Sequence, residues 1–279
     1  MRSGFATLVG RPNVGKSTLL NTIVGTKVSI TSDKPQTTRS QIRGVYHGPD
    51  AQIVFVDTPG IHKPRTPYGE RLNAAAQSTL AAGDAGVDVV CLVIDATAPI
   101  GRGDRFVAAG VPPSAICVVN KIDAAGPAAV TTQLARAGGL ALAEYFPVSA
   151  RTGEGVEALV AAIVARVPEG PAYYPADMAS DVPEAAWVAE LVREQLLAAV
   201  RDELPHAIAC RVTEWEWPRV RCEILVERES QKGIVIGRGG SVLKAVGTAV
   251  RQQLDPGAYL ELAVKVEPDW RRRYASPEA

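Results

Sequence analysis

The chain has no net charge: 30 Lys and Arg balance 30 Asp and Glu over 279 residues. It therefore cannot bind nucleic acid as a polybasic whole, and any such contact must rest on a local patch. None of its four cysteines, Cys91, Cys117, Cys210 and Cys222, stands in a Cys-x-x-Cys spacing. Metal-cluster and dithiol readings fall away. Cys91, Cys117 and Cys222 lie in apolar, strand-like runs and read as small buried hydrophobes of a reducing cytosol. No apolar run approaches the roughly 20 residues of a membrane-spanning helix. Met1-Arg2-Ser3 passes almost directly into a strand, so no signal peptide and a cytoplasmic location are expected. At 47% hydrophobic and 22% charged, the composition excludes overall disorder, and the length has room for two domains.

What is present is a set of three short stretches in a telling order. Gly10-Arg11-Pro12-Asn13-Val14-Gly15-Lys16-Ser17, followed by Thr18, has the spacing of a phosphate-binding loop. Its glycines let backbone N–H groups wrap a β-phosphate, Lys16 reaches the β/γ oxygens, and the Ser17 hydroxyl ligates Mg²⁺. Asp57-Thr58-Pro59-Gly60 ends an apolar run; Asp57 can hold the same Mg²⁺ through water, and Gly60 offers the γ-phosphate an N–H. Asn120-Lys121-Ile122-Asp123 ends another. Asp123 can accept hydrogen bonds from the ring N1–H and the exocyclic amine of guanine, and adenine has neither donor there. Ser149-Ala150, after Tyr145-Phe146-Pro147-Val148, fits a loop that brings N–H groups near the guanine oxygen.

The first 168 residues alternate strand-like and helical segments, which predicts a mostly parallel sheet with helices on both faces. Strands are expected at Phe5–Val9, Ser40–His47, Gln52–Val56, Val87–Asp95 and Ala115–Asn120, with helices at Ser17–Val24 and Val156–Arg166. The two segments flanking Gly48-Pro49-Asp50 should pair as a hairpin. Residues 169–184, rich in proline, read as a semi-rigid linker. Residues 185–279 then form a smaller α+β domain. A helix at Ala185–Arg201 should bury Val188, Leu191, Val192, Leu196, Ala199 and Val200, and strands at Val220–Ile224 and Leu260–Glu267 alternate as half-buried strands do.

Within this second domain, Ile234-Val235-Ile236-Gly237-Arg238-Gly239-Gly240-Ser241 fits a short apolar element, a Gly-x-x-Gly turn and a new helix. That helix is expected to point Val242, Val246, Ala249, Val250 and Leu254 inward, and Lys244, Thr248 and Arg251 outward. From Lys232 to Arg251 the cations are Lys232, Arg238, Lys244 and Arg251, with no Asp or Glu. Glycine lets a sugar–phosphate backbone approach closely while cations meet the phosphates. Gly-x-x-Gly alone fits a plain helix-connecting turn equally well. The order helix, strand, strand, Ile-x-x-x-Gly-x-x-Gly, basic-faced helix, strand resembles the type II KH fold, an RNA-binding module.

With Pro35-Gln36-Thr37-Thr38-Arg39 and Val226-Glu227-Arg228-Glu229-Ser230-Gln231-Lys232 added, nearly the whole chain resembles the bacterial Era GTPases, a GTP-binding domain joined to a KH domain. The resemblance implies GTP and GDP as ligands and Mg²⁺ as cofactor. It implies the 3′ end of small-subunit (16S) ribosomal RNA as partner, maturation of the 30S subunit as role, and peripheral association with the inner face of the cell membrane. A monomer is expected. Family members often continue past Trp270-Arg271-Arg272-Arg273 with a further apolar stretch, whose contacts are not expected here. The competing reading is a GTPase acting on protein or membrane partners, with the KH-like domain as a docking module.

Thr38, with Thr37 second, is the candidate Mg²⁺ ligand of a segment that senses the γ-phosphate. After Gly60, many GTPases place a Gln that orients the attacking water, whereas this chain has Ile61, with His62 beside it. An aliphatic side chain cannot polarise water. In related GTPases an Asn at the position of Asn13 helps hold K⁺ against the phosphates, which makes K⁺ a candidate second cation. Lys16, Thr38, Gly60 and Asn13 are therefore the expected catalytic group.

Overall fold

The computed structural model of the chain describes residues 1–32, 34, 42–57, 87–200, 204–268 and 270. These fall into two compact units, divided between Asp181 and Val182.

In the first unit, strand β1 (Arg2–Val9) leads through the phosphate-loop sequence to helix α1 (Lys16–Val24), and β2 (Ile42–Gly48) turns back into β3 (Ala51–Asp57) as the expected hairpin. There follow β4 (Val89–Asp95), α2 (Arg102–Ala108), β5 (Ile116–Asn120), α3 (Pro127–Gly138), β6 (Glu144–Val148) and α4 (Val156–Arg166). The sheet order is β2-β3-β1-β4-β5-β6, parallel throughout except for the β2–β3 pair. Successive residues of β4 explain the layering. Val89, Cys91 and Val93 join one apolar cluster with Leu20 and Ile163, while Val90, Leu92 and Ile94 join the other with Val107 and Ala137. Such a strand is hydrophobic on both faces because helices cover both. Burial pushes the Cys91 and Cys117 thiols up to about 12.

The second unit runs α5 (Glu184–Ala199), α6 (Leu204–Ala207), β7 (Ala209–Glu216), β8 (Arg219–Val226), α7 (Glu229–Ile236), α8 (Ser241–Arg251) and β9 (Tyr259–Val266). Strand β8 pairs antiparallel with β7 and parallel with β9. Val220, Cys222, Ile224 and Val226 pack against Leu191, Leu196, Val235, Val246 and Val250. The alternate residues of β8 form cross-strand ion pairs instead, Arg219–Glu261 at 3.0 Å and Arg221–Glu214 at 3.0 Å. Hence the alternation in the sequence: one face is core and the other is solvated. The apolar run before the Gly-x-x-Gly turn is the last turn of α7, with Val235 buried and Ile234 57% exposed. Its cap is Gln231, whose Oε1 accepts from the Glu227 and Arg228 amides at 2.9 and 3.0 Å. Ala199, expected inside, is exposed because α5 ends there and Val200 turns inward in its place.

The segment read as a semi-rigid linker makes specific contacts. Its first thirteen or so residues lie along the first unit, with Ser180 bridging Gly44 on the open edge of β2 and the Tyr173 ring meeting that of Phe5 in a tilted contact at 4.7 Å. An edge strand with unpaired N–H and C=O groups is a ready template for an extended, proline-rich chain.

Candidate nucleotide site and nucleic-acid face

The expected guanine-nucleotide residues converge because five strand ends are in register. Leu8 pairs with Asp57, Val9 with Leu92, Asp95 with Asn120, and Asn120 with Val148. Ligands in open α/β sheets bind outside these carboxyl ends, where the strand order reverses. Here the reversal lies at β1, flanked by β3 and β4.

Gly10, Arg11, Pro12, Asn13, Val14 and Gly15 form the loop between β1 and α1, and Lys16, Ser17 and Thr18 the first turn of the helix. Gly15 has φ 96° and a Cβ there would collide with the Asn120 amide; Asn13 takes φ 65°. Left-handed backbone at both points curls the loop. Helix α1 has no acidic residue in its first turn and no side-chain cap, so its N-terminal dipole favours an anion. The Lys16 ammonium lies 3.1 Å from the Gly10 carbonyl and 3.0 Å from that of Arg11, inside the curl.

Arg11 behaves differently from a phosphate ligand. Its Nε donates to Asp104 Oδ1 at 2.7 Å, and the other oxygen of this buried carboxylate caps α2 through the Gly101 amide at 2.9 Å. This contact turns the Nε edge of the guanidinium towards α2. Asn120 acts as a brace: its Nδ2 donates to the Val14 carbonyl at 2.8 Å and its Oδ1 accepts from the Ala150 amide at 2.9 Å. Losing it would orphan two buried groups, at about 1–3 kcal/mol each. Lys121 ties the same two regions, donating to the Asn13 carbonyl at 2.7 Å and pairing with Asp95 at 2.6 Å. Burial pushes the Asp95 carboxyl up, but bonds from Lys121 and Thr97 prevail and hold it below its ordinary value.

Asp123, with Ile122 in the short turn after β5, presents its carboxylate to the Ser149 hydroxyl at 2.7 Å and to Arg151 at 2.7 Å. The Ser149 bond lowers its pKa, partial burial opposes, and Arg151 lowers it further. Both partners thus hold the Asp123 carboxyl below its ordinary value. Thr22 completes the frame, donating to the Ala150 carbonyl at 2.5 Å. Sequence reasoning did not single out Asp95, Asp104 or Thr22 or assign Arg151 a role. Only Arg151 had a local signal, its place directly after Ser149-Ala150.

Asp57 ends β3 as expected. Its side chain, Thr58, Pro59, Gly60, Ile61, His62 and the Pro35–Arg39 segment with Thr37 and Thr38 lie outside the described residues, as do Arg271, Arg272 and Arg273. No cluster of three His, Cys, Asp or Glu that could hold a metal is found among the described residues. A Mg²⁺ bound with a nucleotide takes only one or two protein oxygens and the rest from phosphates and water, and the Ser17 hydroxyl at the start of α1 is of that oxygen-donor kind.

In the second unit, Gly237, Gly239 and Gly240 all have positive φ, 74°, 60° and 79°. A Cβ on Gly237 would lie 2.8 Å from the Val242 amide nitrogen, while Gly239 and Gly240 face open space. The first glycine lets the turn close and the other two keep its outer surface bare. Arg238, Lys244 and Arg251 are exposed, and Lys244, Thr248 and Arg251 follow one another along a face of α8. Ile236 and Lys232 are half-buried on α7, Lys232 lying 3.5 Å from Glu229, itself 76% exposed. Such exposed pairs contribute little, so the cation remains available.

Residues 5–121 match the family model described as 50S ribosome-binding GTPase, and residues 203–271 match the KH domain model. The chain is 47% identical to GTPase Era of Mycobacterium tuberculosis strain H37Rv, over 97% of this chain and 95% of that one. GTPase Era of Mycobacterium avium strain 104 is also 47% identical, with the same coverage. Among solved structures, Era in complex with MgGDPNP and nucleotides 1506–1542 of 16S ribosomal RNA superposes with a TM-score of 0.90 at 39% identity, covering 100% of this chain and 97% of that one. An Aquifex aeolicus Era variant bound to GDP and AlF4⁻ gives 0.90 at 38%, with the same coverage. A phosphate loop braced to a base-reading turn, followed by a KH unit and matched along its length at this identity, places the chain in the Era family of GTPases.

Proposed function

We propose that this protein is a GTP-hydrolysing switch that binds the 3′ region of 16S ribosomal RNA and assists maturation of the 30S subunit. The supporting observation is that one chain carries both the carboxylate of Asp123, held for a guanine edge, and the bare Gly239–Gly240 turn among exposed cations. It is also similar over its full length to an Era crystallised with a GTP analogue and a 16S fragment. In this reading Gly10 to Thr18 wrap the phosphates, and Asn120, Lys121, Ile122, Ser149 and Ala150 hold Asp123 against the base. Ser17 and Thr38, with Asp57 through water, hold Mg²⁺, which when bound offsets charge on the β and γ oxygens. Gly237 to Gly240 with Ile236, Lys232, Lys244 and Arg251 receive the RNA. A pure protein-docking role is disfavoured by the cations Lys232, Arg238, Lys244 and Arg251, with no acidic residue between them.

Titration of a labelled RNA ending in the 16S 3′ sequence, with GTP analogue, GDP or no nucleotide, tests this directly. Binding in the nanomolar to micromolar range is expected. No binding in any state removes the RNA role and leaves the GTPase.

Two finer attributes belong to the same proposal. Ile61 cannot orient water, and Asn13 stands exposed at the loop apex, so a cation beside the phosphates supplies what a Gln would. Hydrolysis is expected to be slow in Na⁺ and at least about tenfold faster in K⁺, as removal of comparable charge stabilisation would cost; equal rates exclude K⁺. Peripheral contact with anionic membrane would rest on Arg271, Arg272 and Arg273, and salt-sensitive sedimentation with anionic but not neutral vesicles is its test. No helix among the described residues is long and apolar enough to cross a membrane.

A further inference from the structure

Two indole rings of the second unit lie side by side in solvent. Strands β7 and β8 are joined by the tip Trp217-Pro218, closed by the opposed residues Glu216 and Arg219. In this register Trp215 stands opposite Val220, a core residue on the face that the helices cover. Glu214 and Glu216 stand opposite Arg221 and Arg219, on the solvated face. Trp217 lies against Trp215, with ring centroids 6.4 Å apart and planes inclined by 33°. The helices do not reach far enough to cover the pair: Trp215 is 36% and Trp217 50% exposed. Large aromatic rings gain most from burial, so two of them left together in water mark a contact surface.

What they contact follows from where α8 leads. Strand β9 runs parallel to β8, with Tyr259 beside Arg219 and its amide donating to the Pro218 carbonyl at 2.8 Å. The hairpin tip and the start of β9 are therefore one end of the sheet. Helix α8 leaves the Gly-x-x-Gly turn and must return to that end. On the way Gly247 passes over Leu262 of β9, close enough that an added Cβ would lie 3.6 Å from its side chain, and Arg251 stands one turn further on. The exposed face of Lys244, Thr248 and Arg251 thus runs from the turn towards the end of the sheet that carries the indoles, along a helix about 16 Å long. Only Asp255 is acidic between Arg251 and Tyr259. We propose that Trp215 and Trp217 form a stacking platform for an unpaired base of the RNA, a second contact beyond the Gly-x-x-Gly turn. The inference rests on the RNA-binding reading above. A strand held by its phosphates at the turn follows the cations of α8 and delivers a splayed base to the indoles. Flat π faces accept any unstacked base, so this contact adds affinity for longer single strands without reading their sequence.

Two labelled single-stranded RNAs from the 16S 3′ region, titrated into the full chain, test this. One has about four nucleotides, the length that a Gly-x-x-Gly turn clamps, and the other about twelve. Trp217→Ala is expected to weaken the longer RNA at least about fivefold, as loss of one stacked base does, and to leave the shorter as in the wild type. Trp217→Phe keeps a ring and should recover most of the loss. The longer RNA should also quench the tryptophan emission of the wild type. That quenching should vanish when Trp215 and Trp217 are both changed to Phe, which leaves Trp187 and Trp270 as the remaining indoles. The change of Arg238 and Gly239 to Asp should, by contrast, weaken both RNAs. Equal affinity of the wild type and Trp217→Ala for the longer RNA overturns the inference, leaves the RNA role standing and turns the indoles over to a protein partner. An equal loss on both RNAs overturns it as well, since the damage then lies at the turn or in the fold. So does quenching that survives in the double Phe variant. Failure of the wild type to bind either RNA removes the RNA role itself, and this inference with it.

Discussion

Asp123→Asn is expected to weaken GTP binding about 10²- to 10⁴-fold and to admit xanthosine triphosphate in its place. In the proposed reading the carboxylate accepts from two donors on the guanine edge, and each such charge-assisted bond is worth about 1.5–3 kcal/mol. An amide offers one acceptor and one donor. Xanthine matches it, because a carbonyl replaces the exocyclic amine. The protein itself should tolerate the change: the Ser149 hydroxyl can still donate to the amide oxygen, and the lost partner, Arg151, is 75% exposed, so stability should fall by less than about 1 kcal/mol. Fluorescence titrations with the two triphosphates measure the switch. Retained preference for GTP would show that guanine is read by some other group.

The second large effect is on RNA. Changing Arg238 and Gly239 together to Asp replaces one cation by two anions at the bare turn, and RNA affinity is expected to drop at least about 100-fold at physiological salt. The slope of log affinity against log salt should fall by about one for the lost cation. Gly239 is the right partner for Arg238 because its added side chain meets open space and Asp tolerates left-handed backbone. Gly237 is the wrong one, since any Cβ there strikes the start of α8. GTP hydrolysis without RNA should be unchanged. Undiminished binding would place the RNA away from the Gly-x-x-Gly turn.

The nucleotide site was legible because its determinants are short and local. A loop that must curl needs glycine or Asn at fixed spacings, and an apolar run ending in Asp or Asn announces a strand end. The partners that hold those residues were not legible. Arg11 meets Asp104 across 93 positions and Asn120 meets Val14 across 106; no local pattern encodes such pairs, which follow from the strand order. The basic face of α8 was readable from periodicity. The apolar run before the turn was ambiguous, since Ile-Val-Ile suits a strand or a helix end, and the cap at Gln231 decided for helix. Proline content suggested a semi-rigid linker between the units, but whether an extended chain lies against a domain depends on an exposed strand edge nearby, and composition does not reveal that β2 is one.

The placement of the cysteines makes the protein its own stability probe. Cys91 and Cys117 are buried in the first unit, and Cys210 and Cys222 lie together in the second, where burial and the neighbouring thiol push Cys210 up. A thiol reagent attacks the thiolate and needs access, so Cys91 and Cys117 in one unit and Cys222 in the other, all buried, react only when their surroundings open. Alkylation followed by mass spectrometry therefore clocks the opening of the nucleotide-binding unit and the KH unit separately, in one sample and with no engineered label. Adding GDP should slow the first clock alone, by the factor that ligand binding stabilises one folded unit.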